Sequence, residues 1–183
     1  MADLYGLYDD ASNRTSEARP VAVEQLRLMP AVALAAEWQG FIRDLYHDAV
    51  EAVTAAMSER ETEPLARLLR VSLTRRRRVG RANADQSALS DDFGQLGLLG
   101  LWARLHKRTP NAQDLRGVLA DVMAARNAVA HGSEPQPDAL EARGIRVDVD
   151  TVHRWQVALD NLATALDALV AEHVGTPTGE QVR

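Results

Sequence analysis

Apolar side chains recur at steps of three and four residues along most of this chain, and this period constrains the fold more than any other feature. One stripe contains Leu34, Trp38, Phe41, Leu45, Ala49 and Ala52, and another contains Trp155, Leu159, Leu162, Leu166 and Leu169. Such spacing places side chains on one face of an α-helix. The segment from Ile145 to Val149 is the only candidate strand and it is short. The sequence therefore predicts an all-α bundle.

Prolines divide the first half of the chain into predicted helices. A proline inside a helix removes a backbone hydrogen bond and clashes with the preceding turn. We therefore expect a short helix from Val21 and then a long one that begins near Pro30 and runs to Glu59. A further short helix is predicted over Pro64–Leu73. Because no apolar period continues over Thr74–Asn83, that segment is expected to be a loop or an exposed helix end.

Capping residues and glycines delimit the helices of the second half. Ser90, followed by Asp91 and Asp92, predicts a helix N-terminus, because serine caps helices and acidic residues favour their positive end. That helix is expected to stop before Thr109-Pro110, with Gly94, Gly97 and Gly100 spaced by three along it. A new helix is predicted from about Asn111 to His131-Gly132, followed by a loop over 133–149. The last helix is predicted over Asp150–Val174.

These elements predict a single helical domain over residues 21–174, with polar tails at 1–20 and 175–183. The length of 183 residues suits one domain, and 46% apolar with 26% charged residues is a globular balance. The longest apolar run, Leu96–Ala103, is eight residues, whereas a bilayer requires about 20. With no membrane span and no export signal at the N-terminus, we expect a cytoplasmic protein.

The composition also excludes several kinds of site. The chain has no cysteine, which rules out disulfides, a thiol nucleophile and a cysteine-based zinc site. The histidines have no paired ligands at metal spacing, and no phosphate-binding glycine loop is present, so we expect neither a metal nor a cofactor. The formal net charge is −5, so binding of nucleic acid would require a local basic patch.

One polar cluster interrupts the predicted helix from Asn111. Its apolar positions are Leu115, Leu119, Val122 and Val129, and Arg126 occupies the remaining place in that stripe. A guanidinium on an apolar face is costly to bury unless an anion meets it. Asn127 and His131, four residues apart, share a face near the predicted helix end. An arginine that binds phosphate oxygens and a histidine that moves protons near neutral pH suit the breaking of a phosphate ester.

The segment Arg126-Asn127-Ala128-Val129-Ala130-His131-Gly132 resembles the Arg-x4–6-His motif of the HEPN superfamily. In that family an arginine, a following polar residue and a histidine lie at the end of the third of four main helices. The resemblance covers roughly residues 90–170, within a motif-bearing part of the domain placed at 90–174, and implies a HEPN-like bundle with an additional N-terminal helical segment. Some HEPN toxins carry a modifiable tyrosine two residues after the histidine, where this chain has Ser133, so that form of control is not expected.

The resemblance implies a metal-independent endoribonuclease that acts as a homodimer in a toxin or antiviral defence system. Two copies of Arg126 and His131 would face one cleft, and Asn127 would orient His131 or bind a phosphate oxygen. An antitoxin or another defence protein is an implied partner. The alternative is a catalytically inactive HEPN-like adaptor or regulatory subunit that uses the same face to bind a protein.

A second basic feature lies outside the motif. It consists of Arg75, Arg76, Arg77, Arg78 and Arg81. A run of this kind is often a solvated turn, but it could also contact the RNA backbone and make binding depend on salt. We assign these residues as candidate RNA contacts. Trp38, Trp102 and Trp155 fall in apolar stripes, so we expect them to pack in the core rather than to stack on bases.

Overall fold

Every regular element that the structure describes is an α-helix. The computed structural model describes residues 20–60, 63–130, 140 and 144–175. Within these ranges lie α1 (Pro20–Arg60), α2 (Glu63–Arg76), α3 (Gln86–Gln95), α4 (Leu101–Arg108), α5 (Ala112–Ala130) and α6 (Val149–Gly175). The predicted all-α fold is therefore confirmed, and residues 145–148 form no strand.

Helices α1, α5 and α6 pack on one another, and α2 packs along α1. Every residue of the predicted stripe of α6 is buried. In the stripe of α1 all residues are buried except Phe41, which is half-buried, and Ala52, which is exposed. Ile42, Leu119 and Leu162 are fully buried where the three helices meet. Each such aliphatic side chain contributes about 1.5–3 kcal/mol when it leaves water. The helical period therefore locates the core correctly.

The prediction of a new helix at Pro30 is wrong, because α1 continues from Pro20 to Arg60 through this proline. Proline has no N–H to donate to the preceding turn, and its ring crowds that turn. Pro30 is nevertheless buried, together with Leu28, Ala31 and Leu34. Burial of these side chains against the neighbouring helices compensates for the missing hydrogen bond.

The predicted helix start at Ser90 is also wrong. Helix α3 begins at Gln86 because the carboxylate of Asp85 caps it, accepting the backbone N–H of Ala88 at 2.8 Å. The hydroxyl of Ser90 lies inside the helix and donates to the carbonyl of Gln86 at 2.9 Å. Two residues able to cap a helix thus lie five positions apart, and the earlier one, Asp85, begins α3.

The same prediction joined α3 and α4 into one helix, and two glycines explain why they are separate. Gly97 has a φ of +86° and Gly100 a φ of +66°. Side chains with a Cβ rarely adopt this left-handed conformation. These glycines form the connection between the two helices, so the spacing of three does not place them on a helix face.

The remaining predicted helices in the described ranges are confirmed with small shifts. Helix α2 extends beyond the predicted Pro64–Leu73 at both ends, so Arg75 and Arg76 belong to its exposed last turn. Helices α5 and α6 begin within one residue of the predicted starts. Asp148 caps α6 by accepting the N–H of Thr151 at 2.8 Å, and this bond holds the pKa of Asp148 below its usual value.

The tryptophans pack as predicted. Trp38 and Trp155 are buried, and Trp102 is half-buried against the core. The guanidinium of Arg116 lies 5.5 Å from the centre of the Trp102 ring, in a cation–π contact. Among the helices described, none is long and apolar enough to cross a bilayer.

Candidate functional site

Arg126 and Asn127 lie on the last turns of α5, where the apolar stripe reaches the surface. Leu115, Leu119 and Val122 are buried, whereas Arg126 and Val129 are half-buried. The residues of the stripe are therefore buried up to Val122 and become partly exposed from Arg126 onward. This position lets the guanidinium share an apolar helix face and still reach solvent.

The carboxamide of Asn127 is the centre of a hydrogen-bonded cluster. Its Oδ1 accepts from Nη1 of Arg126 at 3.1 Å and from Nδ2 of Asn83 at 2.8 Å. Asn83 comes from the connection between α2 and α3, 44 residues away along the chain. We call this connection, residues 77–85, the arginine loop, because it contains Arg77, Arg78 and Arg81.

Helix α1 fixes the arginine loop on both sides of Asn83. The indole Nε1 of Trp38 donates to the carbonyl of Ala84 at 2.9 Å. The side chain of the next residue, Gln39, donates to the carbonyl of Ala82 through Nε2, also at 2.9 Å. Because both neighbouring carbonyls are held, the position of Asn83 relative to α1 is well defined.

Helix α3 fixes the beginning of the same loop through Asp92. This carboxylate is fully buried. It accepts the backbone N–H of Arg78 at 2.8 Å to each oxygen and the N–H of Val79 at 2.8 Å. Val79 is itself buried, and so is Ala84 near the other end of the loop. The loop therefore has a defined conformation that presents its arginines on the surface.

The arginines predicted to bind RNA differ in their surroundings. Arg75, Arg76 and Arg81 are exposed and Arg77 is half-buried. The guanidinium of Arg78 forms an ion pair with Asp91 and also donates to the hydroxyl of Ser87. The structure thus gives Arg78 a carboxylate partner that would compete with a phosphate.

The hydrogen bond between Asn83 and Asn127 brings part of the arginine loop next to the helix that bears the motif. Arg81 precedes Asn83 by two residues, so their Cα atoms lie within about 7 Å of each other. Arg81 is therefore the loop arginine closest in sequence to Asn83, the residue that contacts Asn127. Arg75 and Arg76 belong to α2, and within the described residues no hydrogen bond joins them to Arg126 or Asn127.

His131 lies outside the described residues, as does the segment that follows it up to 139. The predicted grouping of His131 with Arg126 and Asn127 therefore remains a prediction from sequence. His131 directly follows Ala130, the last residue of α5.

Sequence reasoning missed two residues that hold this site. Asn83 gives no local signal, because its partner is distant in the chain. Asp92 does give one, since it occupies a place among Leu89, Phe93 and Leu96 in an apolar helical pattern. A charge in such a place requires partners when it is buried. The predicted helix N-terminus at Ser90 assigns this carboxylate to the helix end and so overlooks its burial.

A separate cleft lies at the other end of α5. It has a volume of about 460 Å³ and is lined by residues that include Arg108, Asn111 and Asn161. Asn111 precedes Arg126 by 15 residues, a separation of about 22 Å along a helix. The cleft is therefore distinct from the cluster at Asn127. In the described ranges, no group of three or more histidine or acidic side chains is placed to hold a metal ion.

Comparison of the chain with protein-family models, with curated proteins and with solved structures finds no match. The assignment of a function therefore rests on the motif and on the geometry around Asn127.

Proposed function

We propose that this protein is a metal-independent endoribonuclease of the HEPN type. The observation that carries the proposal is the shared hydrogen bonding of Asn127 with Arg126 and Asn83. This arrangement places a half-exposed cation and a fixed amide on one helix end, beside a loop rich in arginine. A cation with a planar fork of N–H donors suits a phosphate diester, and neighbouring arginines suit its polyanionic chain.

In the proposed reaction, the ribose 2′-oxygen attacks the adjacent phosphorus in line with the departing 5′-oxygen. The attacking hydroxyl loses its proton to a general base as the new P–O bond forms. The 5′-oxygen gains a proton as the old P–O bond breaks. The products are a 2′,3′-cyclic phosphate and a 5′-hydroxyl, and no oxidant, reductant or metal enters the balance.

Three residues of the motif take the chemical roles. His131 is the general base, and His131 of a second copy is the general acid. Arg126 binds the non-bridging oxygens and stabilises the additional negative charge of the pentacoordinate state. Asn127 donates a hydrogen bond to a phosphate oxygen. The partly exposed end of the α5 stripe, with Val129, supports pairing with a second copy at this position.

The arginine loop and the end of α2 would bind the RNA strand on either side of the cleaved bond. Arg75, Arg76 and Arg81 are exposed and contact phosphates in the proposal, whereas the exposed Arg78 is already paired with Asp91. A toxin or antiviral defence system, with a protein that restrains the nuclease, is the proposed biological setting. The likeness to the HEPN motif supports this setting.

The test is cleavage of a labelled RNA by the purified protein in EDTA, beside a DNA of the same sequence. We expect cleavage of the RNA alone, with a cyclic phosphate at the new 3′ end. Arg126→Ala and His131→Ala should each abolish it. Arg108→Ala and His106→Ala are the matched controls, because both side chains lie on α4 and are exposed. They should cleave like the wild type.

Light scattering after size exclusion gives the second measurement, with a dimer expected. A monomer at assay concentration would contradict the shared site. A dimer that cleaves none of a broad RNA pool would favour the adaptor alternative. That alternative also requires that the Arg126→Ala variant still binds the same partner protein as the wild type.

A further inference from the structure

We propose that Asn83 is a positioning residue of the site: it holds the Asn127 carboxamide so that its N–H groups and the Arg126 guanidinium are directed at the phosphate. This inference rests on the proposed function and names a residue outside the Arg-x4–6-His motif. Asn83 would not touch the reacting atoms. It acts through Asn127, with which it shares the 2.8 Å hydrogen bond.

The hydrogen-bonding capacity of a carboxamide explains how this works. Its oxygen has two lone pairs and its nitrogen has two hydrogens. In Asn127 the oxygen accepts from both Asn83 and Arg126, which uses both lone pairs. The oxygen edge is thereby fixed toward these two residues, and Nδ2 is directed to the opposite edge. No described residue accepts a hydrogen bond from this Nδ2, so both of its hydrogens are available to a ligand.

Asn83 is suited to this role because its own position is fixed. The carbonyls of Ala82 and Ala84 on either side are held by Gln39 and Trp38 of α1. Asn83 therefore holds the end of α5 in a defined position relative to α1. Groups that bind a transition state are effective when neighbouring hydrogen bonds hold them within about 0.5 Å of the productive position.

The same bond also sets the spacing between the two phosphate-binding regions. Arg81 moves with the arginine loop and Arg126 moves with α5, and the Asn83–Asn127 bond joins the loop to the helix. Without it, both regions would still bind RNA, but the cleaved phosphate would be placed less accurately. Loss of Asn83 should therefore lower kcat much more than it raises KM.

The first experiment compares Asn83→Ala and Asn83→Asp with the wild type in steady-state cleavage of a labelled RNA. Aspartate has the same shape but no Nδ2 donor, so it separates the hydrogen bond from mere filling of space. We expect each variant to lower kcat about 10-fold or more, since misplacement by about 1 Å can reduce a rate 100-fold. KM should stay within about 3-fold, because the arginines that bind the strand are retained.

Thr164→Ala is the matched control. It removes a hydrogen bond of similar length, from an exposed hydroxyl to the carbonyl of Asp160 on α6, and leaves the arginine loop and the Asn83–Asn127 pair intact. Its kcat should remain within about 2-fold of wild type. The double variant Asn83→Ala/Asn127→Ala should be no slower than Asn127→Ala alone, because residues that act as one unit give non-additive losses.

The second experiment observes Asn127 directly by ¹H–¹⁵N NMR of its side-chain amide, assigned with Asn127→Ala. We expect this amide to shift in Asn83→Asp and to stay in place in Thr164→Ala. Circular dichroism and thermal melting identify any variant that fails to fold, and the isosteric aspartate variant is the one expected to remain folded.

The outcomes separate this inference from the proposed function. If the wild type cleaves RNA and Asn83→Asp retains its kcat, the positioning role is overturned while the nuclease stands. If the wild type cleaves no RNA, the nuclease is overturned and the role of Asn83 in cleavage with it. The NMR result then shows only whether Asn83 orients Asn127. Loss of kcat with unchanged KM, together with the shifted amide, supports both.

Discussion

Replacing Asp92 by alanine is expected to destabilise the protein by about 4 kcal/mol. The fully buried carboxylate accepts two backbone donors, the N–H groups of Arg78 and Val79, at 2.8 Å. Hydrogen bonds to a charged group are worth about 2 kcal/mol each, and alanine would leave both donors without an acceptor. Because a domain has only about 5–15 kcal/mol of stability, this loss should lower the melting temperature by roughly 10 °C.

The adjacent Asp91 provides the control for this prediction. It has the same charge, lies on the same helix and also contacts Arg78, but through an exposed ion pair between side chains. Exposed ion pairs contribute less than about 1 kcal/mol, so Asp91→Ala should have little effect. Asp92→Asn keeps one acceptor oxygen and should lose about half as much as Asp92→Ala, roughly 2 kcal/mol.

The assay is unfolding in urea followed by tryptophan fluorescence, with the free energy of unfolding obtained by linear extrapolation. The wild type, Asp92→Ala, Asp92→Asn and Asp91→Ala are compared at one pH and one salt concentration. Equal losses for Asp92→Ala and Asp91→Ala, within about 0.5 kcal/mol, would refute the reasoning, because surface substitutions vary by that amount alone. Such a result would mean that the buried carboxylate does not hold the loop.

Three further predictions follow from other features. Burial, and to a smaller extent the negative charge of Asp92, raises the pKa of Tyr46 from 10.0 to about 12. Between these pH values the tyrosine ionises only in the unfolded chain, so the stability of the folded protein should fall as the pH rises. Tyr46→Phe should remove that part of the fall in urea unfolding across this pH range. Gly97→Ala should destabilise the protein by about 1–2 kcal/mol, because alanine is strained at a positive φ. Gly117→Ala inside α5 should instead stabilise it by up to about 1 kcal/mol, because alanine favours the helix more than glycine does. Thermal melting compares the two variants. If the protein binds RNA as proposed, Arg81→Ala should reduce the slope of log affinity against log salt by about 1. Arg78→Ala should change that slope less, because its guanidinium already has a carboxylate partner, and equal slopes would contradict this reasoning.

The helices with strong apolar periods could be predicted from the sequence, because regularly spaced apolar residues mark the face of the helix that is buried. Helices α5 and α6 begin within one residue of their predicted starts for this reason. The errors at Pro30 and Ser90 have a common cause. Local preference favours a boundary at each position, but at Pro30 burial in the core outweighs it, and at Ser90 an earlier residue, Asp85, caps the helix. Neither effect can be inferred from neighbouring residues alone.

The candidate site could be predicted only where its residues are close in sequence. Arg126 and Asn127 lie on one helix, so the helical period already places them together. Asn83 reaches Asn127 through a contact that depends on how the arginine loop crosses α1. That path is set by tertiary hydrogen bonds, and the sequence gives no periodic signal for it.

Two charged residues nevertheless mark this loop in the sequence. Arg126 and Asp92 each occupy a place in an apolar helical stripe, where an unpaired charge is costly. In the structure, Asp92 binds the amides at the start of the arginine loop, and Arg126 shares the oxygen of Asn127 with Asn83 near its end. Asp92 therefore holds the loop directly from α3, whereas Arg126 is joined to it only through the carboxamide of Asn127. A fold that needed only a core would place an apolar residue at position 92, so we infer that this buried charge serves the conformation of the arginine loop, while Arg126 keeps the phosphate-binding role proposed above.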